Sequence, residues 1–341
     1  MVVVKVDLVP QEGYKLERDI FKPRKEFKPF EYPELLAFQD AINHSYWLVS
    51  EWNFISDMQD FQTQLNPVER EIVRKALLAI SQIEVAVKRY WTKIGDVFAK
   101  PEIEQIGVTF GESEVRHANA YSHLLEVLNL NDDFSRLLEV PEIRGRVDYL
   151  QKHIAGNSNA GIKRQVLNLA LFSLFVENVS LFSQFLIVKS FNKYRNVLKD
   201  IDNVIQATQK EEQIHAMFGA QLINIVRKER PDWFDDTFYM ALYEACDKAF
   251  EAEDKIVEWI FQGTDLSFLT RRDVKEFLKN RFNQGLELIG GRTYFGVDKE
   301  VVSRLQWFED EIAAEVNTDF FYKKPVTYSK KVQPITAEDL F

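Results

Sequence analysis

The chain has 341 residues, a formal net charge of -10, 46% hydrophobic and 28% charged residues, and a single cysteine. That length buries a sizeable core in one large domain or two, with the composition of a soluble globular protein. The acidic balance argues against nucleic acid as the main partner, and the lone Cys246 rules out an intramolecular disulfide framework and fits a reducing compartment, expected to be the cytoplasm.

In chain order, residues 1–33 carry Pro10, Pro23, Pro29 and Pro33 among many charges and read as an irregular N-terminal arm. The opening Met1-Val-Val-Val-Lys-Val-Asp lacks the long apolar core and cleavage site of a signal peptide, so none is expected. From about Tyr32 the text turns helical. Asn66 and Pro67, with Glu69 and Glu71 in the first turn, predict a helix start, and the apolar stripe after it carries Glu84 along its edge. Pro101 opens a second long helix holding Glu114, His117 and Tyr121. Gly156–Asn159 reads as a loop. The very apolar run Val166–Val188 that follows is long enough to span a membrane, yet it contains Asn168, Glu177, Asn178 and Gln184. A carboxylate is costly in lipid, so a helix buried inside a bundle is the better reading. Further helices are predicted from Asp200 to about Val226, over 235–262 and over 271–289; residues 317–341, with Pro325 and Pro334, read as a flexible tail.

Two units stand out: Glu114-Val-Arg-His117 and Glu212-Gln-Ile-His215. Residues i and i+3 share a helix face, so each unit presents a carboxylate and an imidazole together. Two such units, completed by single carboxylates from two other helices, make the dinuclear metal site of ferritin-like bundles. Glu84 and Glu177 are the available completing residues. Either Glu-x-x-His alone reads more readily as a surface pair, and Glu84 alone as a partner of Lys88. Jointly, and in this order, the six predict an all-α, ferritin-like helical bundle over 34–316 with a dinuclear metal site in its core. The oxygen and nitrogen donor set suits Fe or Mn better than a structural zinc.

These residues resemble the small, radical-generating subunit of class I ribonucleotide reductase, over nearly the whole chain. The most specific stretch runs from Pro101-Glu-Ile-Glu104 through Glu114-Val-Arg-His-Ala-Asn-Ala-Tyr121-Ser-His123. The resemblance implies that Tyr121 holds the radical position, that Glu177, Glu212 and His215 are second-half ligands, and that Leu181 and Phe185 line the radical site. It implies that Trp47, followed by Glu51 and Asp57, relays an electron and proton outward, with Trp52 a nearby competitor. Asn317–Phe321 resembles the start of the family's tail, which places Tyr328 as the subunit-bridging redox residue (Tyr322 is the runner-up). Ala337–Phe341 would dock into a large subunit. A homodimer is also implied.

Two departures from the family pattern bear on mechanism. Glu84 stands where many members have Asp, and Glu211 replaces the usual Asp before the ligand Glu212, where it is expected to bridge Trp47 and His117 by hydrogen bonds. Lys88, one turn after Glu84, adds a cation that would pair with Glu84 or draw an anionic oxidant. That pattern resembles the dimanganese branch, so Mn/Mn is preferred over Fe/Fe or Mn/Fe. The implied activity is ribonucleoside-diphosphate reduction: the cluster supplies an oxidising equivalent to a large-subunit cysteine. No Gly-rich phosphate loop occurs here to bind substrate. The alternatives are another ferritin-like di-metal oxidase or an iron-storage bundle, neither of which needs the tail tyrosine or the docking end.

Overall fold

Asn66 illustrates how the chain punctuates its helices. In the computed structural model, which describes residues 18–154 and 161–320, its side chain accepts from Val68 N (2.9 Å) and Glu69 N (3.0 Å). Glu69 Oε2 accepts from Asn66 N in return, at 3.0 Å. This reciprocal cap satisfies donors that a helix start leaves free, and Pro67 in the first turn has no N–H to orphan. Thr270 and Asp273 build the same box at another start, and Asp235 caps a third by accepting from Phe238 N.

The helices are α1 (Leu36–His44), α2 (Ile55–Gln59), α3 (Pro67–Trp91), α4 (Pro101–Val127), α5 (Asn131–Ser135) and α6 (Pro141–Ile154). After the segment 155–160 come α7 (Ile162–Leu171), a π-helical stretch (Phe172–Ser180) and α8 (Phe182–Arg195). Then follow α9 (Lys199–Glu229), α10 (Asp236–Phe261), α11 (Arg271–Leu288), α12 (Lys299–Arg304) and α13 (Gln306–Phe320). Every regular element among the described residues is helical. Residues 18–32 hold no helix longer than a turn, and the arm is tied down where Glu102 of α4 accepts from Glu31 N (2.9 Å) and Tyr32 N (3.1 Å).

The run Ile162–Arg195 is long and apolar enough to cross a membrane, and its apolar window is wholly buried in protein. It is the bundle's central strut. The π stretch within it is gripped by α9 and α11. Gly219 of α9 makes the first contact possible: a Cβ there would stand 2.2 Å from Ser173 Cβ. α3 packs along α4, and α4 against α9. These four segments bring the predicted ligands to one place.

The C-terminal boundary differs from expectation. α13 continues to Phe320, past the tail start predicted at Asn317. The physical reason is the absence of any Gly or Pro before Pro325, so nothing stops the helix at 317. Tyr322, Tyr328 and Ala337–Phe341 lie outside the described residues, as does the predicted Gly156–Asn159 loop.

Candidate metal centre

Six side chains converge in the core, and each is no more than 1% exposed: Glu84 from α3, Glu114 and His117 from α4, Glu177 from the π stretch, Glu212 and His215 from α9. They form two overlapping quartets. Glu84, Glu114, His117 and Glu212 make one, and Glu114, Glu177, Glu212 and His215 the other, with donor atoms in each all within 4.8 Å of one another. Glu114 and Glu212 belong to both.

Both imidazoles turn Nδ1 inward. His117 Nδ1 lies 3.0 Å from Glu212 Oε1 and 3.7 Å from Glu114 Oε2. His215 Nδ1 lies 3.1 Å from Glu177 Oε2, 3.3 Å from Glu114 Oε1 and 3.5 Å from Glu212 Oε2. Donors about 2.1 Å from a shared octahedral cation would themselves be about 3 Å apart, so the spacing suits such an ion. The Nε2 atoms face outward to fixed partners. His117 Nε2 meets Glu211 Oε2 at 2.8 Å, and His215 Nε2 meets Ser113 Oγ at 3.0 Å. Such outer partners fix the ring and leave Nδ1 free to ligate.

The fit to a metal pair rests on what is missing from the hydrogen-bond network. Both oxygens of Glu84, Glu114 and Glu212, with His117 Nδ1, are buried and have no hydrogen-bond partner among the described residues. A buried charged group left unsatisfied costs several kcal/mol, so such a nest is tolerable only around cations or added protons. The titration behaviour agrees. Burial, with the Glu212 and Glu114 charges, lifts the Glu177 carboxyl well above its ordinary range. Burial lifts Glu84 likewise; the carboxylates Glu212 and Glu114 add to the push, while His117 and Lys88 oppose it. Burial works to lower both imidazoles, but the surrounding carboxylates raise them well above the usual histidine value. Oxygen and imidazole donors in this number support a dinuclear metal site.

Around the quartets the two ends diverge. Beside His117, the Trp47 ring stacks at 6.0 Å between centroids and 13° between planes, and Trp52 follows at 5.5 Å. The expected hydrogen bond from Trp47 to Glu211 is not made: Trp47 Nε1 has no partner among the described residues. Arg116 engages Glu211 instead. Its Nη1 donates to both Glu211 oxygens (3.0 and 3.1 Å), and its guanidinium lies over the Trp47 ring at 5.6 Å. With His117 and Ser45 Oγ (3.0 Å) also bound, the carboxylate is fully engaged. Burial works to raise the Glu211 carboxyl, but His117 and Arg116 hold it below the usual range.

At the other end Trp91 Nε1 donates to Glu177 Oε1 at 3.2 Å, and Phe110 packs on His215 at 4.3 Å. Trp91, Ser113, Arg116 and Ser45 escaped the sequence reading. Arg116 alone left a signal there, since it sits inside the Glu-x-x-His unit.

Tyr121 is buried, and its hydroxyl has no hydrogen-bond partner among the described residues. Burial and the Glu84 charge push the phenol far up, so it stays protonated. Leu181 and Phe185 are fully buried. Lys88 is half-buried, with its charge felt at Glu84, but it does not hydrogen-bond there, because both Glu84 oxygens are unpartnered. Asp57 is buried and accepts from Ile201 N at the start of α9, whereas Glu51 is exposed and caps Leu48 N.

Comparison with known proteins agrees with this fold. The family model for the ribonucleotide reductase small chain matches residues 24–301. The probable ribonucleoside-diphosphate reductase small subunit of invertebrate iridescent virus 3 is 26% identical, over 90% of this chain and 85% of its own. The subunit beta of Chlamydia pneumoniae is 24% identical over 61% of this chain and 63% of its own. Among solved structures, the ribonucleotide reductase R2 subunit of Clostridium botulinum superposes with a TM-score of 0.76 at 14% identity, covering 85% of this chain and 91% of that one. The dimanganese(II)-NrdF of Streptococcus sanguinis gives 0.71 at 14% identity, covering 87% and 100%. The bundle is therefore ferritin-like, and the chain belongs to the ribonucleotide reductase small-chain family.

Proposed function

We propose that Glu84, Glu114, His117, Glu177, Glu212 and His215 would hold two metal ions, Glu114 and Glu212 being common to both quartets. The single observation carrying this is the pair of overlapping quartets, in which both oxygens of Glu84, Glu114 and Glu212 are buried without hydrogen-bond partners among the described residues. The protein serves ribonucleoside-diphosphate reduction as its small subunit. When bound, the metal pair supplies a strong one-electron oxidant for that reaction.

The chain's own residues then have distinct tasks. Glu211 and Ser113 orient the two imidazoles. Phe110, Trp91 and the apolar wall of the π stretch exclude water and stray reductants from the centre. Tyr121, protonated and buried beside Glu84, is the nearby phenol able to store the oxidising equivalent by losing an electron and its proton. Trp47 is the first step of the outward route, because its ring lies directly on His117 while Trp52 is one ring farther out. Tyr328 in the tail continues that route to a cysteine of a large subunit, with Ala337–Phe341 as the docking end. A homodimer located in the cytoplasm completes the reading.

For the metals, two manganese ions are preferred over Fe/Fe or Mn/Fe. The donor set accepts either element. The Lys88 charge beside Glu84 supports manganese, since it would gather an anionic oxidant such as superoxide at that edge. The test is metal analysis with low-temperature electron paramagnetic resonance on protein from its native host, without added metal. Close to two Mn per chain with a multiline coupled-manganese signal is the expected result. Two Fe with a tyrosyl signal lost in Tyr121→Phe would overturn the manganese assignment, and a metal-free protein would overturn the centre itself.

A further inference from the structure

Arg281 of α11 is 2% exposed, and its side-chain hydrogen bonds among the described residues go to none of the six ligands. Its partners are nonetheless selective. Nε donates to the Asn178 main-chain carbonyl at 2.9 Å, and Nη2 donates to Asn178 Oδ1 at 2.8 Å and to Gln213 Oε1 at 3.0 Å. Asn178 Nδ2 donates back to the Arg281 carbonyl at 3.3 Å. Asn178 follows Glu177, and Gln213 follows Glu212. One guanidinium thus holds the residue next to a carboxylate ligand on each of two different segments.

The mounting is rigid. The guanidinium lies 3.9 Å above the Phe182 ring. One turn along α11, Gly285 faces the same π stretch, where an added Cβ would stand in ordinary contact, 3.4 Å from Asn178 Nδ2 and Leu174 Cβ. The remaining donor leads elsewhere: Nη1 pairs with Glu309 Oε2 at 3.1 Å, and Glu309 belongs to α13, the helix that runs into the tail.

We propose that Arg281 is a positioning residue for the metal centre. By holding Asn178 and Gln213 it fixes the spacing of Glu177 and Glu212, and its ion pair with Glu309 makes that spacing sensitive to the seating of α13. This rests on the proposed metal ligands. A planar fork suits the task, because its donors diverge in fixed directions and bridge two segments at once; an ammonium on a flexible stem does not. The wide turn of a π-helix is the part of the strut most in need of an outside brace.

A second buried arginine supplies the control. Arg146 is 0% exposed and donates to the Ala79 carbonyl and to Gln184, with Glu253 at 3.7 Å. None of these is adjacent in sequence to a predicted ligand. The experiment titrates Mn(II) into metal-free, full-length protein by calorimetry, alongside thermal melting. Arg281→Gln is expected to remain helical and to bind the weaker of two Mn(II) ions at least about tenfold less tightly. Arg281→Lys should not restore the affinity. Glu309→Gln should weaken it by about two- to fivefold. Arg146→Gln should lower the melting temperature and leave both affinities intact.

Unchanged Mn(II) affinities in Arg281→Gln, or an equal loss in Arg146→Gln, would show a merely structural role and overturn the proposal. Should Arg281→Gln fail to fold, Gln213→Leu and Glu309→Gln decide, and intact affinities in both overturn it. Wild-type protein binding fewer than two ions would instead sink the proposed centre, which keeps the two failures distinct.

Discussion

The two Glu-x-x-His units share a motif but not a neighbourhood. Around His117 the chain gathers charge and hydrogen bonds: Glu211, Arg116 and Ser45, with Trp47 and Trp52 stepping away from the centre. Around His215 it gathers apolar rings, with Trp91, Phe110 and Phe218 packed on one another and a lone serine on Nε2. The donor set is the same at both ends, while the outer layer differs in kind. The difference teaches that ligand spacing sets which donors meet, whereas the surrounding residues set the environment of each end. One end is polar and opens onto Trp47 and Trp52; the other is closed in by apolar rings.

That contrast breaks first, and hardest, at the carboxylates common to both halves. Glu212→Ala or Glu114→Ala should drop the metal content from about two ions per chain to well under one, while Glu84→Ala or Glu177→Ala should leave about one. Elemental analysis after gel filtration reads this directly. A Glu212→Ala protein that kept two ions would end the idea of shared ligands.

The outer partners come next. Glu211→Ala strands the Arg116 guanidinium, which is 5% exposed, leaving the more open Glu112 as its one paired carboxylate among the described residues. Removing one partner of a buried ion pair costs about 3–5 kcal/mol of folding stability, and loss of an imidazole's outer partner weakens metal binding by about 10- to 100-fold. Ser113→Ala removes two hydrogen bonds, its own to the Phe110 carbonyl and the one with His215 Nε2, but strands no buried charge of opposite sign, and should cost about 1–2 kcal/mol. Urea denaturation of the metal-free variants, followed by Mn(II) titration, compares the ends. Equal losses would erase the asymmetry.

The smallest effect at the centre separates the tryptophans. Trp91→Phe deletes the donor to Glu177 and should weaken metal binding by a few-fold, corresponding to about 1 kcal/mol. Trp47→Phe deletes an N–H without a hydrogen-bond partner among the described residues, so metal affinity should be unchanged while turnover with a large subunit is lost. If Trp47→Phe weakened the metals as much as Trp91→Phe, Trp47 would belong to the scaffold and not to the relay.

The sequence was most legible where the chemistry is local. Glu114 with His117, and Glu212 with His215, are readable because i and i+3 share a face whatever the tertiary structure. Glu177 is readable because a carboxylate in an apolar run demands compensation. Capping did the same for the start of α3 at Asn66. What sequence left dark is what packing makes. Trp91 reaches Glu177 across 86 positions, and Ser113 reaches His215 across 102. The expectation for Glu211 held at His117 and failed only at Trp47: a neighbouring arginine, ordinarily read as a surface charge, is turned inward and shares the carboxylate. The π stretch was invisible because a mostly apolar run, buried on every side, carries no clear period to measure.

That stretch, Phe172–Ser180, has one more implication. A π turn is equivalent to one surplus residue in an α-helix, so side chains beyond it are rotated by roughly 100° relative to an uninterrupted helix. A deletion of one codon within it would let the strut knit into a continuous, plainer helix with regular bonding throughout. It would also swing Glu177, or everything after it, out of phase with α9. The metal centre thus occupies a registration fault, and smoothing that fault would leave a sturdier bundle with no centre to guard.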